Sequence, residues 1–212
     1  MVQTDYIMRI IEQFAAFLWA IVFNKNAQNY DIALEKVNEV YNGLLNINPN
    51  EIKYLSVDEI IKLNTHKNIT DNDNLKIIAI LLFEEADIYE KMNGINKESL
   101  EGYLKSMNLF LKIFTINEKD EIYKYLNDII TKLDEYNTGN DIMLKIYEYY
   151  LKVKMYAKAE DILYHLLENE YPNIKNEIRT FYNKLLEKDD KELENGNLPR
   201  NEILEAINSM NI

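Results

Sequence analysis

The chain has 212 residues, no cysteine, and 24 Lys and Arg against 36 Asp and Glu, a formal net charge of −12. Disulfides, thiolate metal sites and cysteine nucleophiles are thereby excluded, a reducing cytoplasm fits, and a surface of this sign repels phosphate backbones, so nucleic acid is not an expected partner. With 47% hydrophobic residues, five glycines and three prolines, the composition suits one globular domain over 1–212 and leaves too few turn formers for an all-β fold. In chain order the apolar spacing is helical almost throughout. It predicts about ten helices, near 5–24, 29–46, 57–65, 73–92, 97–115, 119–136, 140–153, 156–169, 174–187 and 200–210.

In the first helix, Phe14 to Phe23 is continuously apolar. Ten residues reach only about 15 Å as a helix, half a bilayer core, so the run reads as a largely buried first helix, with no membrane association expected. In the second, Tyr30, Ala33, Leu34, Val37, Val40, Tyr41, Leu44 and Leu45 form one stripe. Ser56 with Glu59 makes a capping box for the third, Asn72 or Asp73 caps the fourth, and Pro49 and Pro199 sit near helix starts. The fourth carries Ile77, Ile78, Ile80, Leu81, Leu82 and Phe83 on most sides and is expected at the centre. Gly94 follows it with the left-handed backbone that helix ends often use. Ile122, Tyr125, Leu126, Ile129, Ile130 and Leu133 make a further stripe.

Three stretches share a grammar in which a helix ends, a short connection follows, and a second helix opens with a small residue followed by bulkier ones. Tyr156, Ala159, Leu163 and Leu166 follow a helix bearing Ile146, Tyr147, Tyr150 and Val153. Ala33, Val37 and Val40 follow a helix ending near Asn24, and Ser99, Tyr103 and Ser106 follow Ala86 and Tyr89. Small residues at a crossing let two backbones approach, which is the logic of a helical hairpin. Ala33 to Ser99 is 66 residues and Ser99 to Ala159 is 60, whereas a regular array repeats at about 34. Extra helices must intervene, and the expected fold is an all-α, irregular stack of helical hairpins.

Tyr147, Tyr150, Tyr156, Ala159, Leu163 and Leu166 resemble the tetratricopeptide repeat in one copy; Leu166 exceeds the usual alanine, and Asn24 replaces an aromatic in the first copy. The opening Asp5 to Arg9 and the closing Gly196, Leu198, Pro199 and Arg200 also resemble an uncharacterised family of bacterial proteins with a tetratricopeptide-like fold, for which no activity carries over. The tetratricopeptide resemblance implies an α-solenoid whose first helices line a concave surface for peptides. It would place Phe83, Glu84, Asp87 and Lys91 on that surface from the second hairpin, and Leu144, Lys145, Glu148 and Lys152 from the third. Glu84, Asp87 and Glu148 then form an acidic rim, which disfavours a clamp on a peptide's terminal carboxylate and favours a basic or mixed-charge segment. Of the sixteen tyrosines, Tyr149 and Tyr164 lie off the small-residue seam and are the contact candidates.

Catalytic and metal patterns are incomplete. Leu63 and Ile162 stand three residues before His66 and His165, where a helical di-iron site needs glutamate. Asp71 to Asn74 imitates the start of a calcium loop, but Lys76 stands where that loop needs glycine and Leu82 where it needs a bidentate glutamate. No cofactor or metal ion is expected. The leading reading is a non-enzymatic interaction module for a protein or peptide. The alternatives are a homodimer subunit pairing through the first helix or the tyrosine-rich hairpin, and a carboxylate-lined small-ligand or hydrolytic pocket.

Overall fold

A helix that is apolar around its whole circumference must find neighbours on every side, and α5 (Asn72–Asn93) does so, with every residue from Ile77 to Ile88 buried. The computed structural model describes residues 2–67, 69–114, 119–136 and 138–209, with the backbone alone over 2–11 and 119–120. The fold is all-α. The chain divides into two compact units, Met1–Tyr136 and Asn137–Ile212.

The first unit holds α1 (Val2–Asn26), α2 (Tyr30–Glu39), α3 (Pro49–Ile52), α4 (Val57–Leu63), α5, α6 (Lys97–Ile113) and α7 (Lys119–Leu133). α1 packs on α2, and α5 on α6 and α2. Ala33 and Ser99 are fully buried at these hairpins, as the small-residue pattern predicts. Ser106 keeps its hydroxyl satisfied inside by donating to the Ala79 carbonyl at 2.7 Å. α2 runs on into a π-helical turn, Val40–Leu44, where Leu45 N–H reaches the Val40 carbonyl at 3.1 Å. The Ile47 N–H bond back to the Tyr41 carbonyl at 2.8 Å, across a left-handed Asn46, then closes the element.

Local signals account for most boundaries. Ser56 and Glu59 form the expected capping box, with the Ser56 N–H donating to Glu59 at 2.8 Å. Asp71 caps α5 by accepting the Asn74 N–H at 3.0 Å, one residue before the position expected from sequence. Gly94 ends α5 with φ +73. Two elements of the first unit were too short for periodicity to show, α3 and a ladder of β1 (Thr65–His66) with β2 (Ile69–Thr70), paired antiparallel.

The second unit holds α8 (Asn140–Lys152), α9 (Tyr156–Glu168), α10 (Ile174–Leu186), α11 (Asp190–Asn195) and α12 (Arg200–Ser209). α8 and α9 form the third hairpin, with Ala159 fully buried. A corner follows α11. Asn197 turns left-handed, Leu198 N–H bonds the Leu193 carbonyl at 3.0 Å, and both leucines are buried. The Gly196 carbonyl accepts the Ala157 N–H at 3.1 Å. Arg200 donates to the Leu186 carbonyl at 3.0 Å and to the Lys188 carbonyl and Asp190 at 2.5 Å each, so it caps the end of α10.

Candidate functional site

Leu82, Glu85, Ala86 and Tyr89 recur at i, i+3, i+4 and i+7 along α5, and Glu98, Glu101, Gly102 and Lys105 recur identically along α6. Each set therefore lies on one helix face. The two faces and Lys53, just beyond α3, line a cavity of about 280 Å³. Its floor is a close crossing, since a Cβ on Gly102 would stand 2.8 Å from Ala86 Cβ and 3.3 Å from the Leu82 carbonyl. Glycine inside a helix costs about 1 kcal/mol relative to alanine, and here the approach of α5 explains it.

Lys53 forms one wall. Its ammonium lies 2.8 Å from Glu85 Oε1, donates to Tyr89 Oη at 3.0 Å, and stands 5.4 Å from that ring's centre. Burial opposes the Lys53 charge, but the hydrogen bonds it donates to Glu85 and Tyr89 outweigh that and hold its pKa above the usual lysine range. Tyr89 also donates to Glu85, at 3.2 Å. Lys105 differs: it donates to the Lys53 carbonyl, and among the described residues no carboxylate comes within ion-pairing range. Burial depresses its pKa, with Glu101 and Glu85 offsetting only part of that. Glu98 is exposed and likewise has no ion-pair partner among the described residues. Tyr41, fully buried, has no hydrogen-bond partner for its hydroxyl among the described residues, and burial, with the Glu85 charge, pushes its phenol well up.

The rim expected on α5 lies inside the protein. Glu84 and Asp87 are 4% and 5% exposed, with the Lys25 ammonium of α1 between them at 2.5 and 2.7 Å. Lys132 of α7 stands 3.2 Å from Asp87 and 2.5 Å from Glu90, and Tyr136 donates to Glu90 at 2.9 Å. Phe83 is also buried, its ring edge-on to Tyr125 at 5.4 Å. Lys91 alone of that set is exposed, 3.5 Å from Asp87. The reason is the enclosure of α5: polar residues on a helix surrounded on all sides must face partners, and Lys25 and Lys132 supply them. Burial opposes the Lys25 charge, yet Glu84 and Asp87 raise its pKa overall. One ammonium cannot serve two carboxylates equally. Burial raises Glu84, while Asp87 is lowered because its pairing with Lys25, Lys91 and Lys132 exceeds the burial penalty.

In the second unit, Lys145, Glu148 and Lys152 are exposed along one side of α8, and Leu144 is half-buried. Tyr149 is 2% exposed, its ring 5.6 Å from that of Tyr150, which corrects its reading as a surface contact residue. Tyr164 is half-buried, its hydroxyl 3.2 Å from that of Tyr182. The structure thus gathers Glu84 and Asp87 around one lysine and leaves Lys145, Glu148 and Lys152 as an outer strip. The groove residues Lys53, Glu85, Tyr89, Glu98 and Lys105 escaped the sequence reading. The signal that could have found them is Gly102, a glycine mid-helix with a charged residue four positions before it and another three positions after it.

Among the described residues no group of three His, Asp or Glu side chains is placed to hold a metal ion, and no helix is long and apolar enough to cross a membrane. No curated protein and no solved structure matches the chain. The model of a family of unknown function, DUF6483, matches residues 1–211, and the chain belongs to that family.

Proposed function

We propose that this protein is a non-enzymatic interaction module of the cytoplasm, a degenerate tetratricopeptide-like array whose second hairpin receives a short protein segment in the groove between α5 and α6. The observation that carries this reading is the groove itself: an apolar floor of Leu82, Ala86 and Gly102 beneath walls that mix carboxylates and ammonium groups. Apolar surface supplies the affinity of such a site and a few placed polar groups supply its selectivity. The neutralised interior of α5 supports the same placement, because Glu84 and Asp87 are already engaged by Lys25.

The test is selection of a displayed library of random seven-residue peptides on the immobilised full chain. Enrichment of a consensus on the native protein, lost on a Glu101→Trp variant that covers the groove from an exposed position and keeps its ellipticity and melting temperature, is the expected result. Absence of any enriched peptide, or enrichment indifferent to the blocked groove, overturns the reading.

A specific observation supports a second reading, pairing of two copies through α1. Trp19 is 68% exposed and Phe23 55%, their rings stacked at 5.1 Å on a helix face without charge from Phe14 to Phe23. Side chains of this kind dominate interface energetics. A dimer mass in light scattering, returned to monomer by Trp19→Ser with Phe23→Ser, is the expected result for that reading; a monomer at every concentration removes it.

A further inference from the structure

The groove has a direction. Glu98 and Lys105 are seven residues apart on α6, about 10 Å along the axis and nearly eclipsed around it. Glu101, 3.5 Å from Lys97, stands one turn in from Glu98 toward Lys105, and Ala86 and Gly102 lie between the two poles. The other charges in the groove are spoken for, since Lys53 and Glu85 satisfy each other with Tyr89. Lys105 and Glu98 are the two poles with no ion-pair partner among the described residues.

A cavity of about 280 Å³ cannot admit a helix of roughly 10–12 Å diameter. It suits an extended segment. A polyproline-type strand has three residues per turn and rises about 3.1 Å per residue, so side chains three positions apart share a face about 9 Å apart. That spacing approximates the distance between the poles. Resting on the peptide-binding reading above, we infer that the partner segment is zwitterionic: a lysine or arginine and an aspartate or glutamate three positions apart, bridged by small apolar residues. The basic side chain pairs with Glu98 and Glu101, the acidic one with Lys105, and the intervening residues lie over Ala86 and Gly102 against the ring of Tyr89.

The same seven-residue library, selected on the full chain, tests this. Enriched peptides are expected to carry opposite charges three positions apart in one preferred order. An E98K/E101K/K105E variant, which swaps the poles, is expected to bind those peptides at least tenfold more weakly and to prefer the same sequences with the two charges exchanged. Retained ellipticity and melting temperature show that the variant folds; if it does not, E98Q/K105Q is used and is expected to lose the charge pattern. Groove-dependent peptides without the charge spacing, or an order preference unmoved by the swap, overturn this inference and leave peptide binding standing. No enrichment at all overturns both.

Discussion

Gly196 and Tyr156 stand so close that a Cβ on the glycine would fall 2.3 Å from the ring and 2.9 Å from the Lys154 carbonyl. The glycine's φ is −81, a conformation open to any residue, so its requirement is space rather than backbone freedom. Gly196→Ala is expected to destabilise the protein by about 1–3 kcal/mol through overpacking. Urea unfolding checks the size. A double-mutant cycle with Tyr156→Leu should show the two changes to be less than additive, because the smaller side chain relieves the clash.

Lys25 neutralises two carboxylates that are themselves buried, all three side chains being 8% exposed or less. Lys25→Met is therefore expected to cost about 3–5 kcal/mol, the usual consequence of stranding a buried charge. Adding Glu84→Met should recover part of that loss, since Asp87 still has Lys132 at 3.2 Å. Equilibrium unfolding of the single and double variants separates the two effects. A double variant less stable than the single one would show that Glu84 matters for packing rather than charge.

Glu192 titrates far below an ordinary glutamate. Hydrogen bonds from Lys154 at 2.8 Å and Tyr156 at 2.6 Å bring it down to about 2 from an ordinary value of 4.5. A depressed carboxylate contributes stability that is present above its unfolded value and lost as pH falls through the folded one. That contribution should therefore fade between about pH 4.5 and 2. A carboxyl-detected NMR titration reads the value directly, and Lys154→Met should move it back toward the ordinary range.

Ala159 sits at the α8–α9 crossing with no exposed surface. Ala159→Arg is expected to disrupt the third hairpin at a cost of several kcal/mol, by forcing bulk and an unpaired charge into a close approach. Thermal melting by circular dichroism is sufficient to see it. Ala157→Arg, half-buried two residues earlier, is the control and should melt near the native protein.

Helices and hairpins were legible because their signals are local. Ile122, Leu126, Ile129, Ile130 and Leu133 of the α7 stripe and the small residues Ala33, Ser99 and Ala159 are buried as their spacing requires, with Tyr125 half-buried beside them. What periodicity cannot see is short, which hid α3 and α11, or distant in sequence. Nothing near Glu84 announces that Lys25, 59 residues earlier, closes on it. Carboxylates on a helix read as solvent-facing by default, and that assumption turned an internal charge cluster into an expected rim. The groove was hidden for a related reason. Its two faces come from different helices, and its third wall, Lys53, follows a four-residue helix that carries too little sequence to be noticed.

The corner from Gly196 to Arg200 is given over to carpentry. Glycine makes room, leucine plugs, and arginine fastens the loose carbonyls at the end of α10. Two proteins that share this joint share a frame. Their kinship is one of architecture, and it assigns a ligand to neither.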